Sequence, residues 1–356
     1  MKKSCIFAPT KSLCMLNRRQ LRFKAFQELY AYFVSAENDV VEAEKKLDKS
    51  INAAKELMVW QLSLLIELHY YFLRRTEDAK LKLLPTDQDL NPNMRFVNNR
   101  FLVQLAENKD VRQLISAYKV SWLEHAELIR RLYNSIKDSK DYENYLKSND
   151  SFEEDKKFVV KICQNFIFDD DALNDLYETK NMYWHTDFYL TQYNLLSAFD
   201  KYFSENVAPV EKIQLDDETI LPEFVDTDDN KKPVVDHRAS LQKDREQFDE
   251  DKKFAKSLFR STIQESDRTF ELIKNKTINW EVDRVSVVDV IILKMALTEL
   301  LRFPTIPVRV TLNEYIELSK TFSSPKSKVF INGILDKLIG ELTKSGDIVK
   351  TGRGLM

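Results

Sequence analysis

Apolar residues recur along this chain at the three- and four-residue intervals of an α-helix. Leu21, Ala25, Leu29 and Phe33 follow every four positions, and Ile331, Ile334, Leu335, Leu338 and Leu342 repeat the same rhythm near the other end. Prolines stand between such stretches, as expected of a residue that costs about 3 kcal/mol inside a helix. They fall at Pro85 and Pro92, at Pro209, Pro222 and Pro233, at Pro304 and Pro307, and at Pro325. The pattern predicts helices near 17–84, 96–205, 239–302, 311–323 and 326–345, the longer ones broken by turns. Ser286 with Asp289 and Thr311 with Glu314 have capping-box spacing, and Ser324 before Pro325 reads as an N-cap with proline at the first helical position.

Glycine usage narrows the fold class to all-α. The 356 residues contain 5 glycines, and Gly333 is the first of them, followed by Gly340, Gly346, Gly352 and Gly354. Dinucleotide-binding loops, P-loops and nucleophile elbows need glycine where the backbone turns left-handed or touches a phosphate, so none of them is present upstream. Tight hairpins lose their Asn-Gly and Asp-Gly turns in the same way. No fixed-period repeat is visible.

With 43% hydrophobic and 31% charged residues, the composition is that of a folded, well-solvated protein long enough for two domains. Lys+Arg 54 against Asp+Glu 57 leaves a net charge of −3, so any nucleic-acid contact must come from a local basic patch. The 3 cysteines, Cys5, Cys14 and Cys163, form no C-x-x-C pair, which fits a reducing cytoplasm. The most apolar run, Leu57 to Leu73, is interrupted by Gln61, Glu67 and His69 and is too short for a bilayer span, so no membrane partner is expected. Residues 1–14 hold too little apolar sequence for a secretory signal and read as a disordered lead-in, with Met15 as an alternative start. Between 206 and 238 the charge turns one-sided, with Asp216, Asp217, Glu218, Glu223, Asp226, Asp228 and Asp229. That stretch reads as a solvated acidic linker, with imitation of RNA against a basic site as the other reading. It separates an N-terminal helical subdomain, 15–205, from a C-terminal one, 239–345, ahead of a flexible tail, 346–356.

Catalytic chemistry is not spelled out. The 4 histidines, His69, His125, His185 and His237, share no metal-ligand spacing. Asp169, Asp170, Asp171 and Asp175 lack the glycine of a calcium loop and read better as helix-capping residues. Neither an enzyme nor a bound cofactor or metal is expected. The dense basic cluster is Arg18, Arg19, Arg22 and Lys24, with Arg18 and Arg22 one helical turn apart. Cations at a helix N-terminus oppose its dipole, so such a cluster accepts a small penalty; RNA or phosphate binding and a plain solvated face are the two readings. A second basic feature, Lys326 and Lys328 between Phe322 and Phe330, suits splayed RNA bases; the plainer reading places both phenylalanines in the core. The aromatic run Tyr183, Trp184, Phe188, Tyr189, Tyr193, Phe199, Tyr202 and Phe203 keeps mostly helical spacing and reads as core rather than as a stacking platform.

These features sit in a recognisable text. The stretch from Asn17 to Tyr30, with its Arg18, Arg19, Arg22 and Gln27-Glu28-Leu29-Tyr30, resembles the opening helix of the NusB antitermination family. The C-terminal blocks match more closely: Trp280 to Val285, Val288-Asp289 through Glu299-Leu300-Leu301, Val310 to Lys320, and Phe330-Ile331-Asn332-Gly333-Ile334-Leu335-Asp336. The resemblance covers about a third of the chain. It implies an all-helical fold of two packed subdomains, elaborated here by extra helices, and binding of a boxA-like single-stranded RNA element. It further implies the ribosomal protein NusE as partner and the RNA polymerase elongation complex as destination, in support of antitermination. It assigns RNA contacts to Arg18, Arg19, Arg22 and Lys24, and to Phe322, Lys326, Lys328 and Phe330. Asp289 resembles a position used against the protein partner, capping being its other reading. Val329 stands where the family usually has lysine, and residues 37–245 far exceed the family's compact core. The rival to an RNA-binding factor is a helical scaffold that keeps the fold without RNA; an RNA-modifying enzyme is disfavoured by the glycine-free middle.

Overall fold

Polar side chains at helix starts do the turning that glycine does elsewhere. Asn17, Asn99, Asn108, Ser139, Ser151 and Asp170 each accept a backbone N–H from the first turn of the helix they open. Asn108 ends one helix and opens the next, so no left-handed residue is needed between them. Outside glycine, Lys119 is the described residue with a positive φ, at 51°.

The computed structural model describes residues 16–35, 39–203, 237–276 and 285–355, and all regular structure among them is helical. In chain order the helices are α1 (Arg18–Val34), α2 (Val40–Lys80), α3 (Asp87–Leu90), α4 (Arg100–Glu107) and α5 (Lys109–Ala117). Next come α6 (Ala126–Lys137), α7 (Lys140–Lys147), α8 (Phe152–Ile162), α9 (Asp171–Lys180) and α10 (Phe188–Tyr202). The last five are α11 (His237–Gln264), α12 (Ser266–Lys276), α13 (Val287–Arg302), α14 (Val308–Phe322) and α15 (Ser327–Lys344). None is long and apolar enough to cross a membrane.

The described residues form two compact units, divided differently from the expected break at 205. One unit holds Ala53 to Asp244; the other joins Leu16–Asn52 to the residues from Arg245 onward. The physical reason is that α1 buries Leu21, Ala25 and Leu29 in the unit that contains α13, α14 and α15, rather than with α3 to α10. The expected lead-in, 1–14, and nearly all of the acidic linker lie outside the described residues, as does Trp280 to Arg284 of the family-like text. The tail departs from expectation: the Thr351 N–H donates to the Pro304 carbonyl, Lys350 Nζ to that of Phe303, and Ile348 is buried.

In the first unit, residues 57–70 of α2 are buried all round, which marks a central helix. Trp60, Phe72, Phe101, Trp122, Phe158, Tyr177, Trp184 and Phe199 pack in the same core, so most of the aromatic run does belong to it. Tyr189 and Tyr193 are exposed instead. Asp155, fully buried, accepts from the Tyr145 hydroxyl (2.8 Å), the Arg95 guanidinium (2.9 Å) and the Arg100 N–H (3.0 Å), tying α7, α8 and the start of α4. Asp170 caps α9, in agreement with the capping reading of the aspartate run.

His69 sits in the central helix, its Nε2 2.8 Å from the Val97 carbonyl and its Nδ1 buried without a partner. Burial therefore holds its pKa below the ordinary 6.5, and the neutral ring donates from Nε2. Because the unfolded chain protonates first, this contribution to stability is whole above about 6.5 and is lost as pH falls towards the depressed folded value, with a slope of up to about 1.4 kcal/mol per pH unit. Urea titrations at several pH values should show a shallower acid-side slope in His69→Gln, which keeps a donor but no titrating ring; an unchanged slope would exclude His69 as its source.

Candidate functional site

Helix α1 begins with a reciprocal capping box between Asn17 and Gln20 and has no acidic residue in its first turn. Its arginines instead meet carboxylates supplied by other helices of the same unit. Arg18 Nε lies 2.9 Å from Asp251 of α11. Arg19 forms a two-pronged pair with Glu314 of α14, at 2.9 and 2.8 Å. Arg22 forms another with Glu299 of α13, both contacts at 2.8 Å.

The third pair is of a different kind. The Arg22 side chain is 4% exposed and that of Glu299 0%, whereas Arg18 and Arg19 stand 46% and 49% exposed. Glu299 also accepts from Thr311 Oγ1 (2.9 Å) and the Tyr315 hydroxyl (3.0 Å), so four donors satisfy one buried carboxylate. Burial alone would push the Arg22 pKa down, but the hydrogen bonds and charge of Glu299 outweigh it and the net direction is up. Burial beside that carboxylate raises the Tyr315 hydroxyl well above its usual value. The Phe254 ring lies 5.1 Å from the Arg22 guanidinium and 5.2 Å from that of Arg18.

Two of the expected RNA contacts are thereby corrected. Arg22 is spent on Glu299 in the interior, and Lys24 is 1% exposed, its charge felt by the Glu28 carboxyl one turn on. Arg18 and Arg19 remain open to an external anion, because half-exposed ion pairs contribute little and exchange readily.

Around the α14–α15 turn the sequence reading needs three changes. Helix α14 starts at Val308, which places Thr311 in its interior facing Glu299 and sends Glu314 to Arg19, so no capping box forms there. Helix α15 starts at Ser327, with Ser324 and Pro325 in the turn before it. Ser286 does cap α13, accepting the Asp289 N–H at 3.1 Å, but the Asp289 carboxylate turns to the hydroxyls of Ser323 (2.6 Å) and Ser327 (2.9 Å). At 6% exposure, with both oxygens engaged, Asp289 clamps the turn rather than presenting itself to a partner.

That clamp fixes what the turn displays. Phe322 packs on Phe23 and Phe26 of α1, with ring centroids 5.5 and 4.7 Å apart, which supports its core reading. Lys326, Lys328 and Val329 are exposed and Phe330 is partly buried. Since Glu314 meets Arg19 and Phe322 meets Phe26, α14 runs alongside α1 in the same direction, carrying the lysine turn towards the Phe26 end. Among the described residues no group of His, Cys, Asp or Glu is placed to hold a metal ion. Sequence reading missed Glu299, Glu314 and Asp251 as the anions facing the arginines. Glu299 had a signal, the one acid in the mostly apolar run Ile291–Leu300.

The model of the NusB family matches residues 218–340, the stretch that supplies α11 to α15 and hence the Glu299 carboxylate and the clamped turn. The C-terminal part of the chain is thus similar to the NusB family. Over 103 residues it is 41% identical to the transcription antitermination protein NusB of Salinibacter ruber, a match covering 29% of this chain and 64% of that protein. It is 47% identical over 75 residues to the NusB of Natranaerobius thermophilus, covering 21% and 54%. For the NusB of Chloroherpeton thalassium the figures are 35% over 105 residues, 30% and 50%. The chain thus spans between half and 64% of the length of these relatives, and it is itself longer than the NusB-like part. No solved structure matches it. The fold is all-α, with helices beyond the NusB-like stretch in the N-terminal part.

The Arg22–Glu299 pair gives a direct test. Arg22→Met strands a buried carboxylate and should lower the unfolding free energy by about 3–5 kcal/mol, and Glu299→Gln should also destabilise. Arg22→Met combined with Glu299→Leu should lose clearly less than the sum of its single changes in urea titrations; additive losses would show that the two side chains do not act as a unit.

Proposed function

We propose that the protein is an RNA-binding transcription antitermination factor of the NusB type. In this reading it engages a boxA-like single-stranded element of nascent ribosomal RNA together with the ribosomal protein NusE, and supports processive elongation by RNA polymerase. The NusB match over residues 218–340 is the observation that carries the reading. Arg18, Arg19, Lys326 and Lys328 supply phosphate contacts from half-exposed or exposed positions, and the exposed edge of Phe330 supplies a stacking surface. Arg22, Lys24, Phe322 and Asp289 act behind them by fixing α1 and the turn. The RNA places its backbone where Asp251 and Glu314 now hold the outer arginines, and the carboxylates yield to phosphate. The work is binding and assembly rather than catalysis, and it belongs in the cytoplasm with the transcription machinery.

A scaffold that keeps the fold without RNA is the second reading, favoured by one observation: every α1 arginine already has an internal carboxylate partner. A salt titration of binding to a short boxA-like RNA and a scrambled control, with and without the ribosomal protein, separates the two. Sequence-dependent, partner-enhanced binding supports the antitermination factor; capture of the ribosomal protein with no RNA binding supports the scaffold.

Within the first reading, Arg19→Ala and Lys328→Ala should each weaken binding and reduce the slope of log affinity against log salt by about 0.7 per lost single-strand phosphate contact. Unchanged slopes would remove those residues from the RNA surface. Asp289→Asn should weaken RNA binding by loosening the turn while leaving the salt slope unaltered, since no phosphate contact is lost; a changed slope would contradict the positioning role.

A further inference from the structure

The connection after α2 displays apolar side chains that none of the described residues of its unit covers. Leu81, Leu83, Leu84 and Leu90 are 83%, 102%, 90% and 50% exposed, and no other ten consecutive described residues expose more than two large apolar side chains. The segment is nonetheless held in a defined shape. Thr86 and Asp89 form a reciprocal capping box at the start of α3, and the Leu81 N–H donates to the Asp78 carbonyl at 3.1 Å. Lys82 Nζ reaches across to Asp89 at 2.8 Å. The bonds from Lys82 and Thr86 hold the Asp89 carboxyl down at about 2, so the clamp persists through the neutral and mildly acidic range.

We propose that this leucine loop is a self-association surface, on which a second copy of the chain docks through a two-fold contact centred on Leu83 and Leu84. Charge selects the occupant. Arg75 with Asp78, Lys80 with Glu77 and Lys82 with Asp89 flank the leucines along the chain in opposite-sign pairs, and Asp87 adds a further acid. An anionic lipid surface or an RNA strand would meet more acids than bases there. A second copy meets its own complement, because a two-fold axis can set the bases of one rim against the acids of the other. Area selects the strength. A patch of a few hundred Å² is the size at which apolar exposure marks a contact, and two such patches with their rims reach about 1,000 Å², the lower end of specific interfaces. The complex is therefore reversible and forms at micromolar concentrations.

Sedimentation velocity of the full chain over a hundredfold concentration range reaching roughly 100 μM, the regime of small interfaces, reads this out. The wild-type weight-average mass should rise with concentration from that of one chain towards two. Leu83→Asp combined with Leu84→Asp should hold it at one, with an unchanged circular dichroism spectrum because neither side chain is packed. Val349→Asp, at an exposed apolar position of the other unit, should dimerise like the wild type. A wild type that stays monomeric throughout overturns the proposal, as does a double variant that still dimerises or a Val349→Asp protein that does not. RNA binding plays no part in the measurement, so this proposal and the antitermination reading stand or fall separately.

Discussion

A buried arginine needs a carboxylate, and a carboxylate that accepts four hydrogen bonds fixes three helices at once. Arg22 brings α1 to Glu299 of α13, and the same carboxylate draws Thr311 and Tyr315 of α14 onto its remaining lone pairs. Isolated, either charge would cost several kcal/mol to bury, so each partner makes the other's position mandatory. The rotation of α1 about its axis follows, and with it the division of labour among its cations. Arg22 and Lys24 turn inward, Arg18 and Arg19 reach the rim, and Phe23 and Phe26 face the end of α14. A second buried acid, Asp289, repeats the logic with neutral donors, fastening Ser323 and Ser327 so that Lys326 and Lys328 project from a fixed turn.

Much of the fold was legible because helix rules act locally. Absent glycine and spaced prolines led to an all-α chain, and the bounds of α13 and α15 came within a residue or two. What the sequence concealed lies in choices settled by tertiary partners. Thr311 and Glu314 have the right spacing for a capping box, yet each finds a stronger bond on another helix, Thr311 to Glu299 and Glu314 to Arg19. Asp289 likewise leaves the local option for two serines that stand 34 and 38 residues away. The arginine cluster was visible as charge, but a run of like residues on a helix does not reveal which one faces inward; that required knowing that Glu299 sits at 0% exposure. The division into units was hidden for the same reason, since α1 packs with helices that come last in sequence.

The unit from Ala53 to Asp244 carries its own stabilising devices: a central helix buried on every side, a neutral histidine within it, and a buried aspartate satisfied by tyrosine, arginine and a backbone N–H.

The discontinuity of the unit with the NusB-like stretch sets an order in time. Arg22 and Glu299 are 277 residues apart, and the unit from Ala53 to Asp244 lies between them. At about 5–20 residues per second, α1 waits on the order of tens of seconds after synthesis for the acid that completes it. The intervening unit can assemble its core during that interval, while Leu21, Ala25 and Leu29 have nothing of their own unit beyond α2 to cover them. Helix α1 is therefore among the last helices of its unit to settle, and the basic rim acquires its shape only once Glu299 has been made.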